Sequence, residues 1–185
     1  MTTIAIRDGV LASDTLVTRY GEQAAGHRVK AYKVDGAIVT AVGKATFARA
    51  FHQWTMDGRK GDAPSNSEST GIVLEVDGSV SLYNEGLRET APFAEFYAFG
   101  SGNEYALGAM AMGADARQAV AAASRFCLFT GGEISVLRLD DVQAQPPGYY
   151  PLPEGVRCRC AKLRTDANGV SWCCQGRTAS LARAA

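Results

Sequence analysis

The stretch MTTIAIRDGVLASDTLVT, residues 1–18, holds two alternating apolar runs on either side of Asp8-Gly9. Successive side chains of a strand point to opposite faces, so residues 2–7 and 10–18 each read as a strand with an apolar face. Asp-Gly supplies the positive φ of a two-residue hairpin turn. An antiparallel hairpin therefore opens the fold.

The pattern repeats outward from that hairpin. A Gly-flanked loop is expected through Gly21 and Gly26, and residues 29–34 and 37–42 then form a second hairpin around Asp35-Gly36. After Gly43, the residues Ala45, Phe47, Ala48, Phe51, Trp54 and Thr55 recur at helical spacing up to Gly58. DGRKGDAPSNSES reads as an exposed loop. Strands are predicted at 71–76 and 80–83 around Asp77-Gly78 and again at 96–99, helices at 104–112 and 115–126, and a last strand in GGEISVLRL. Strands, one helix, strands, two helices and a strand do not alternate as βαβ units do. The order points to an α+β protein of antiparallel sheets packed face to face and covered by helices.

At 185 residues the chain can bury one substantial core with an appendage. Nineteen basic residues balance nineteen acidic ones, which argues against nucleic acid or an anionic membrane as main partner. No leader pattern opens the chain, and no apolar run approaches the ~18 residues of a transmembrane helix. A soluble, cytoplasmic protein is expected. Five cysteines are an odd number, and four lie in the last 28 residues, which is not the pattern of a secreted disulfide framework.

Chemistry enters behind the initiator. The small side chain of Thr2 permits removal of Met1 by methionine aminopeptidases. The chain would then start with a threonine that carries both a hydroxyl and a free α-amine. A hydroxyl is a weak nucleophile until a base takes its proton, and an α-amine of pKa ~7.7–8.0 is poised for that at neutral pH. Asp14 on the second strand and Lys30 on the third can converge beside the end of the first. There a lysine would lower the proton affinity of its neighbours, and an aspartate would hold that lysine charged and oriented.

Six stretches carry a resemblance: TTIAIRDG (2–9), LASDT (11–15), VKAYKV (29–34), VTAVGKAT (39–46), FGSGNEYA (99–106) and CLFTGGEISV (127–136). Together they resemble the proteasome β-type threonine proteases of the N-terminal nucleophile hydrolases, in particular HslV-like peptidases and bacterial proteasome homologues. The resemblance runs to about residue 139. It implies a four-layer αββα sandwich, a homo-oligomeric double ring of about 12 to 14 subunits, and hydrolysis of unfolded polypeptides inside the chamber, with an ATP-dependent unfoldase as a further partner. Thr2 matches the catalytic threonine, Asp14 its acidic partner and Lys30 the activating lysine. Gly43 matches the loop glycine whose N–H serves as oxyanion donor, with a one-residue ambiguity, and Ser101 the serine at the terminal amine. Ser101 could equally cap the helix that begins near Asn103. Ala41 and Ala45 flank the Gly43 loop and would leave an open, apolar specificity pocket. Where much of the family has an aspartate three residues before Ser-Gly-Gly, this chain has Cys127 before Thr130-Gly131-Gly132. Cys127 itself reads as a buried small hydrophobe.

Two domains are expected: residues 1–142 and a Pro-rich linker with a basic extension at 143–185. QAQPPGYYPLPEG reads as a semi-rigid spacer. The extension carries CRC and CC, which lack the C-x₂-C spacing of zinc sites, so neither metal nor cofactor is expected. Other functions open to this sequence are a non-catalytic ring subunit like the α-type chains, or a small-molecule amidohydrolase of the same superfamily. The former carry an N-terminal helical extension, and the latter more often use Cys or Ser with substrate-binding insertions.

Overall fold

The computed structural model describes residues 1–19 and 22–140, together with the strand residues 150–151, 163–165 and 171–173. The chain divides into two units, Met1–Ala144 and Gln145–Ala185.

The first unit is built on two antiparallel sheets. One has the order β10-β1-β2-β11, with β1 Thr3–Arg7, β2 Val10–Asp14, β10 Phe96–Gly100 and β11 Ile134–Arg138. The other runs β5-β6-β7-β8-β9, with β5 Ala31–Val34, β6 Ala37–Val42, β7 Thr70–Leu74, β8 Val80–Asn84 and β9 Leu87–Thr90. Helix α1, Ala45–Met56, covers the second sheet, and α2, Asn103–Ala111, with α3, Ala116–Phe126, covers the first. These are the four layers α, β, β, α.

Alternation along the strands sorts side chains into three cores. Ile4, Ile6 and Leu11 of the first sheet meet Ile38, Ile72 and Leu74 of the second between the sheets. On the first sheet's other face, Ala5 and Ala12 pack against Ala106, Ala119 and Ala123 of the two helices. Residues that small let helices sit close to the sheet. Val39, Ala41 and Val73 point outward from the second sheet to Phe47 and Phe51 of α1. Strands β6 and β7 are buried on both faces, so AIVTAV and TGIVL read as nearly continuous apolar runs.

Asp8-Gly9 and Asp35-Gly36 both have positive φ at the two turn positions, as a two-residue hairpin requires. The structure departs from the sequence reading at several points. Residues 10–18 are not one strand. The N–H groups of Thr15 and Leu16 both donate to Gly131 O, at 3.2 and 2.9 Å, so the chain leaves the sheet there. It then pairs Leu16–Arg19 (β3) with Glu22–His27 (β4) as a two-stranded ribbon where a loop was expected. Strand β9 was not anticipated: all four of its residues are exposed, which leaves no apolar periodicity to read. Lastly, α2 has Gly102 as N-cap with no side-chain cap, so Ser101 is not the cap considered above. Helix α3 is closed by a capping box between Asp115 and Gln118.

In the second unit, Tyr150–Pro151 (β12), Leu163–Thr165 (β13) and Ser171–Cys173 (β14) form a three-stranded sheet of order β12-β14-β13. This sheet had no counterpart in the sequence reading. Tyr150–Pro151 of the expected spacer thus pair into a sheet, while the rest of the spacer and the cysteine side chains of the extension lie outside the described residues.

Candidate active site

Thr2 stands immediately before β1, where the first sheet ends beside the loops that follow β10 and precede β11. Its carbonyl accepts from Ser101 N at 3.0 Å and from Ser101 Oγ at 3.4 Å. A side chain at Gly100, where φ is 92°, would run into that same carbonyl, so the strand can pass Thr2 only as glycine. The Thr2 hydroxyl makes no hydrogen bond among the described residues.

Asp14 ends β2 and is fully buried. Its Oδ1 accepts from Thr3 N at 2.8 Å and from Lys30 Nζ at 2.8 Å, and Gly131 N lies 3.4 Å from Oδ2. A carboxylate so buried is stable only when paired and hydrogen-bonded, and both conditions hold here. Lys30 sits in the segment leading into β5 rather than within that strand, and its Nζ also donates to Met1 O at 2.8 Å. Burial lowers the Lys30 pKa, against the opposing pull of Asp14. The α-amine of Met1 is likewise lowered, first by burial and then by the Lys30 charge. Hence Asp14 and Lys30 come together at the head of β1 as the sequence led us to expect, with Ser101 on the other side of Thr2.

Behind Thr2 lies a second group of hydroxyls. Thr3 Oγ1 is 2.6 Å from Thr130 Oγ1, accepts from Gly102 N at 2.9 Å, and is 3.5 Å from Ser101 Oγ. The connection ties β1 to the loops before α2 and β11. Cys127 is half-buried rather than buried, and its Sγ–H donates to Ser101 O at 3.4 Å. A thiol thus takes part in holding the Ser101 turn.

Gly43 follows β6 with φ of 103°, and a Cβ there would collide with Glu68 O and Ser69 Oγ. The neighbouring Lys44 N donates to Ser69 Oγ at 2.9 Å, which fixes the loop. Thr2, Lys30, Ala41, Gly43 and Ala45 line one pocket of about 90 Å³, with Met1 at its wall. That is room for one side chain, below the ~300 Å³ of a small-molecule site.

The pocket is not purely apolar. Arg28 and His52 also line it, and neither was singled out from the sequence. His52 could have been, because Ala45, Ala48 and His52 follow helical spacing on α1. Its ring packs edge-on against Tyr32 at 4.4 Å between centroids, and its Nε2 is buried without a hydrogen-bond partner among the described residues. Burial, with Arg28 nearby, brings its pKa down to about 4, so the imidazole is neutral at pH 7.

No protein-family model matches the chain, and no curated protein does. Among solved structures, Thiobacillus denitrificans BPH is similar, both alone and in complex with epoxomicin. Each is 24% identical with a TM-score of 0.52, and the match covers 98% of that chain and 75–76% of this one. By this likeness and by its own four layers, the chain has a proteasome-like α+β fold.

Proposed function

We propose that the protein is a threonine peptidase whose nucleophile is Thr2, exposed as the terminal residue once Met1 is removed. One observation carries the reading. Lys30 Nζ, held by buried Asp14, reaches the Met1 carbonyl 2.8 Å away, so its charge stands beside the position that the Thr2 amine would occupy.

In this reaction the freed α-amine takes the proton of the Thr2 hydroxyl as Oγ attacks the peptide carbonyl. The cation of Lys30 lowers the proton affinity of both groups, and Asp14 keeps Lys30 in place. Gly43 N–H would donate to the developing oxyanion, a contact of the kind worth ~2.7–4 kcal/mol. The peptide C–N bond then breaks, its nitrogen takes the proton from the amine, and the acyl group remains on Thr2 as an ester. Water, deprotonated by the same amine, cleaves the ester and restores the hydroxyl. Ser101 orients Thr2 through its carbonyl.

The substrates are unfolded polypeptides, and the enzyme is a homo-oligomeric double ring enclosing its sites, served by an ATP-dependent unfoldase. The likeness to a BPH that has been solved with epoxomicin supports a peptide-binding site. Intact mass is expected to lack Met1, and Thr2→Ala is expected to abolish cleavage of short fluorogenic peptides while its circular dichroism and melting stay like wild type. Cleavage retained by the purified variant would overturn the assignment.

A further inference from the structure

Resting on the peptidase reading, the pocket beside Thr2 carries information about which peptide bonds are cut. The carbonyl under attack lies against Thr2 Oγ, so the side chain of the residue bearing that carbonyl enters the pocket walled by Ala41 and Ala45. Neither alanine reaches into the space, and the polar residues of the lining are Thr2, Thr18, Arg28, Lys30 and His52.

Arg28 is half-buried. Its backbone N–H donates to Thr15 O at 2.9 Å, which pins it next to the break between β2 and β3. Its guanidinium makes no ion pair or hydrogen bond among the described residues, unlike Arg59 and Arg88, which both meet Glu75. His52 is close enough to feel the Arg28 charge, and its Nε2 is buried with no hydrogen-bond partner among the described residues. The remaining cation of the lining, Lys30, is matched by Asp14. Among the described residues no carboxylate lines the pocket.

We propose that this pocket selects peptides with a carboxylate side chain, Glu above all, at the residue on the N-terminal side of the cut bond, with Arg28 as the counter-charge. The apolar wall packs the methylenes of Glu, and the carboxylate meets the guanidinium of Arg28. A lysine or arginine side chain would bring a second cation beside Arg28, with no carboxylate among the described lining residues to offset it. A desolvated like-charge contact discriminates more sharply than a missing attraction does, so basic residues are excluded more strongly than neutral ones.

The test uses the full-length protein and four fluorogenic peptides that differ only at that residue: Glu, Gln, Leu and Arg. Glu is expected to exceed Gln by about tenfold in kcat/KM, and Arg to be cut least. Arg28→Gln should bring the Glu-to-Gln ratio, read within that variant, near one, and Arg28→Lys should keep most of the ratio. On the wild type alone, raising salt from 50 to 500 mM should reduce the same ratio, because a half-open charge pair is screened. Equal rates for Glu and Gln, a ratio unchanged in Arg28→Gln, or preference for Arg would each overturn the inference and leave the peptidase reading standing. No turnover of any of the four, together with no epoxomicin adduct on Thr2 by peptide mass mapping, would overturn that reading and this inference with it.

Discussion

Lys30 joins two oxygens of different kinds, the buried carboxylate of Asp14 and the carbonyl of Met1, each at 2.8 Å. Its removal has two separable effects. Lys30→Met leaves a buried carboxylate with backbone donors only, a loss of about 3 kcal/mol of stability by comparison with other broken buried pairs. It also withdraws the charge that tunes the Thr2 amine and hydroxyl. Denaturant melts should show that loss, and peptide turnover should fall to background even at temperatures where the variant is fully folded. His52 yields a pH prediction. Its folded pKa of about 4 lies below the ~6.5 of an unfolded chain, so between those values the unfolded state binds more protons. The stability from keeping His52 neutral is complete above pH 6.5 and is lost as pH falls towards 4, about 3 kcal/mol over that interval. His52→Gln should therefore lose less stability than wild type between pH 7 and pH 4. Parallel wild-type and variant curves in urea melts across that range would contradict the assignment.

At the scale of elements, helix α3 and strand β10 make contrasting demands. The capping box of Asp115 and Gln118 closes the start of α3 at the exposed edge of the helix layer. Asp115→Ala should cost about 1 kcal/mol in melts and leave peptide turnover per folded molecule unchanged. Gly100 at the end of β10 stands against the Thr2 carbonyl in a left-handed conformation. Gly100→Ala should push the head of β1 away from Ser101 and Lys30. Activity is expected to be lost in preparations whose circular dichroism remains that of the wild type.

Over the whole molecule, α2, α3 and the turn after them leave Met112 89%, Leu128 77% and Phe126 67% exposed. Tyr105 stacks on Phe126 at 5.7 Å. Large exposed apolar side chains favour burial against another surface, and the proposed assembly would supply one from a second copy of the chain. Light scattering is expected to find a species of about 12 to 14 subunits. Phe126→Glu combined with Leu128→Glu should shift it to smaller species. Every residue assigned to the reaction lies in Met1–Ala144. A chain truncated after Asp141 should therefore keep its Thr2 site and cut small peptides, and any role of the second unit should show in ring stability or in cleavage of large substrates.

Residues whose chemistry is local to the chain were legible without a structure. Asp8-Gly9 and Asp35-Gly36 determine their hairpins because the turn itself demands positive φ, and the alternation beside them determines which side chains enter the sheet interface. The pairing of Asp14 with Lys30 behind Thr2 was legible through order and resemblance rather than through spacing alone. Tertiary structure decided what depends on distant neighbours. Gly131 O draws Thr15 and Leu16 out of the first sheet across more than a hundred residues of sequence. Strand β9 forms by pairing with β8 while its own side chains stay exposed, so it leaves no trace in hydropathy. The character of the pocket was decided the same way. Ala41 and Ala45 indicate an open apolar slot, but Arg28 from before β5 and His52 from α1 reach it from separate elements, and only the packing of those elements brings their charge and hydrogen-bonding capacity beside Thr2.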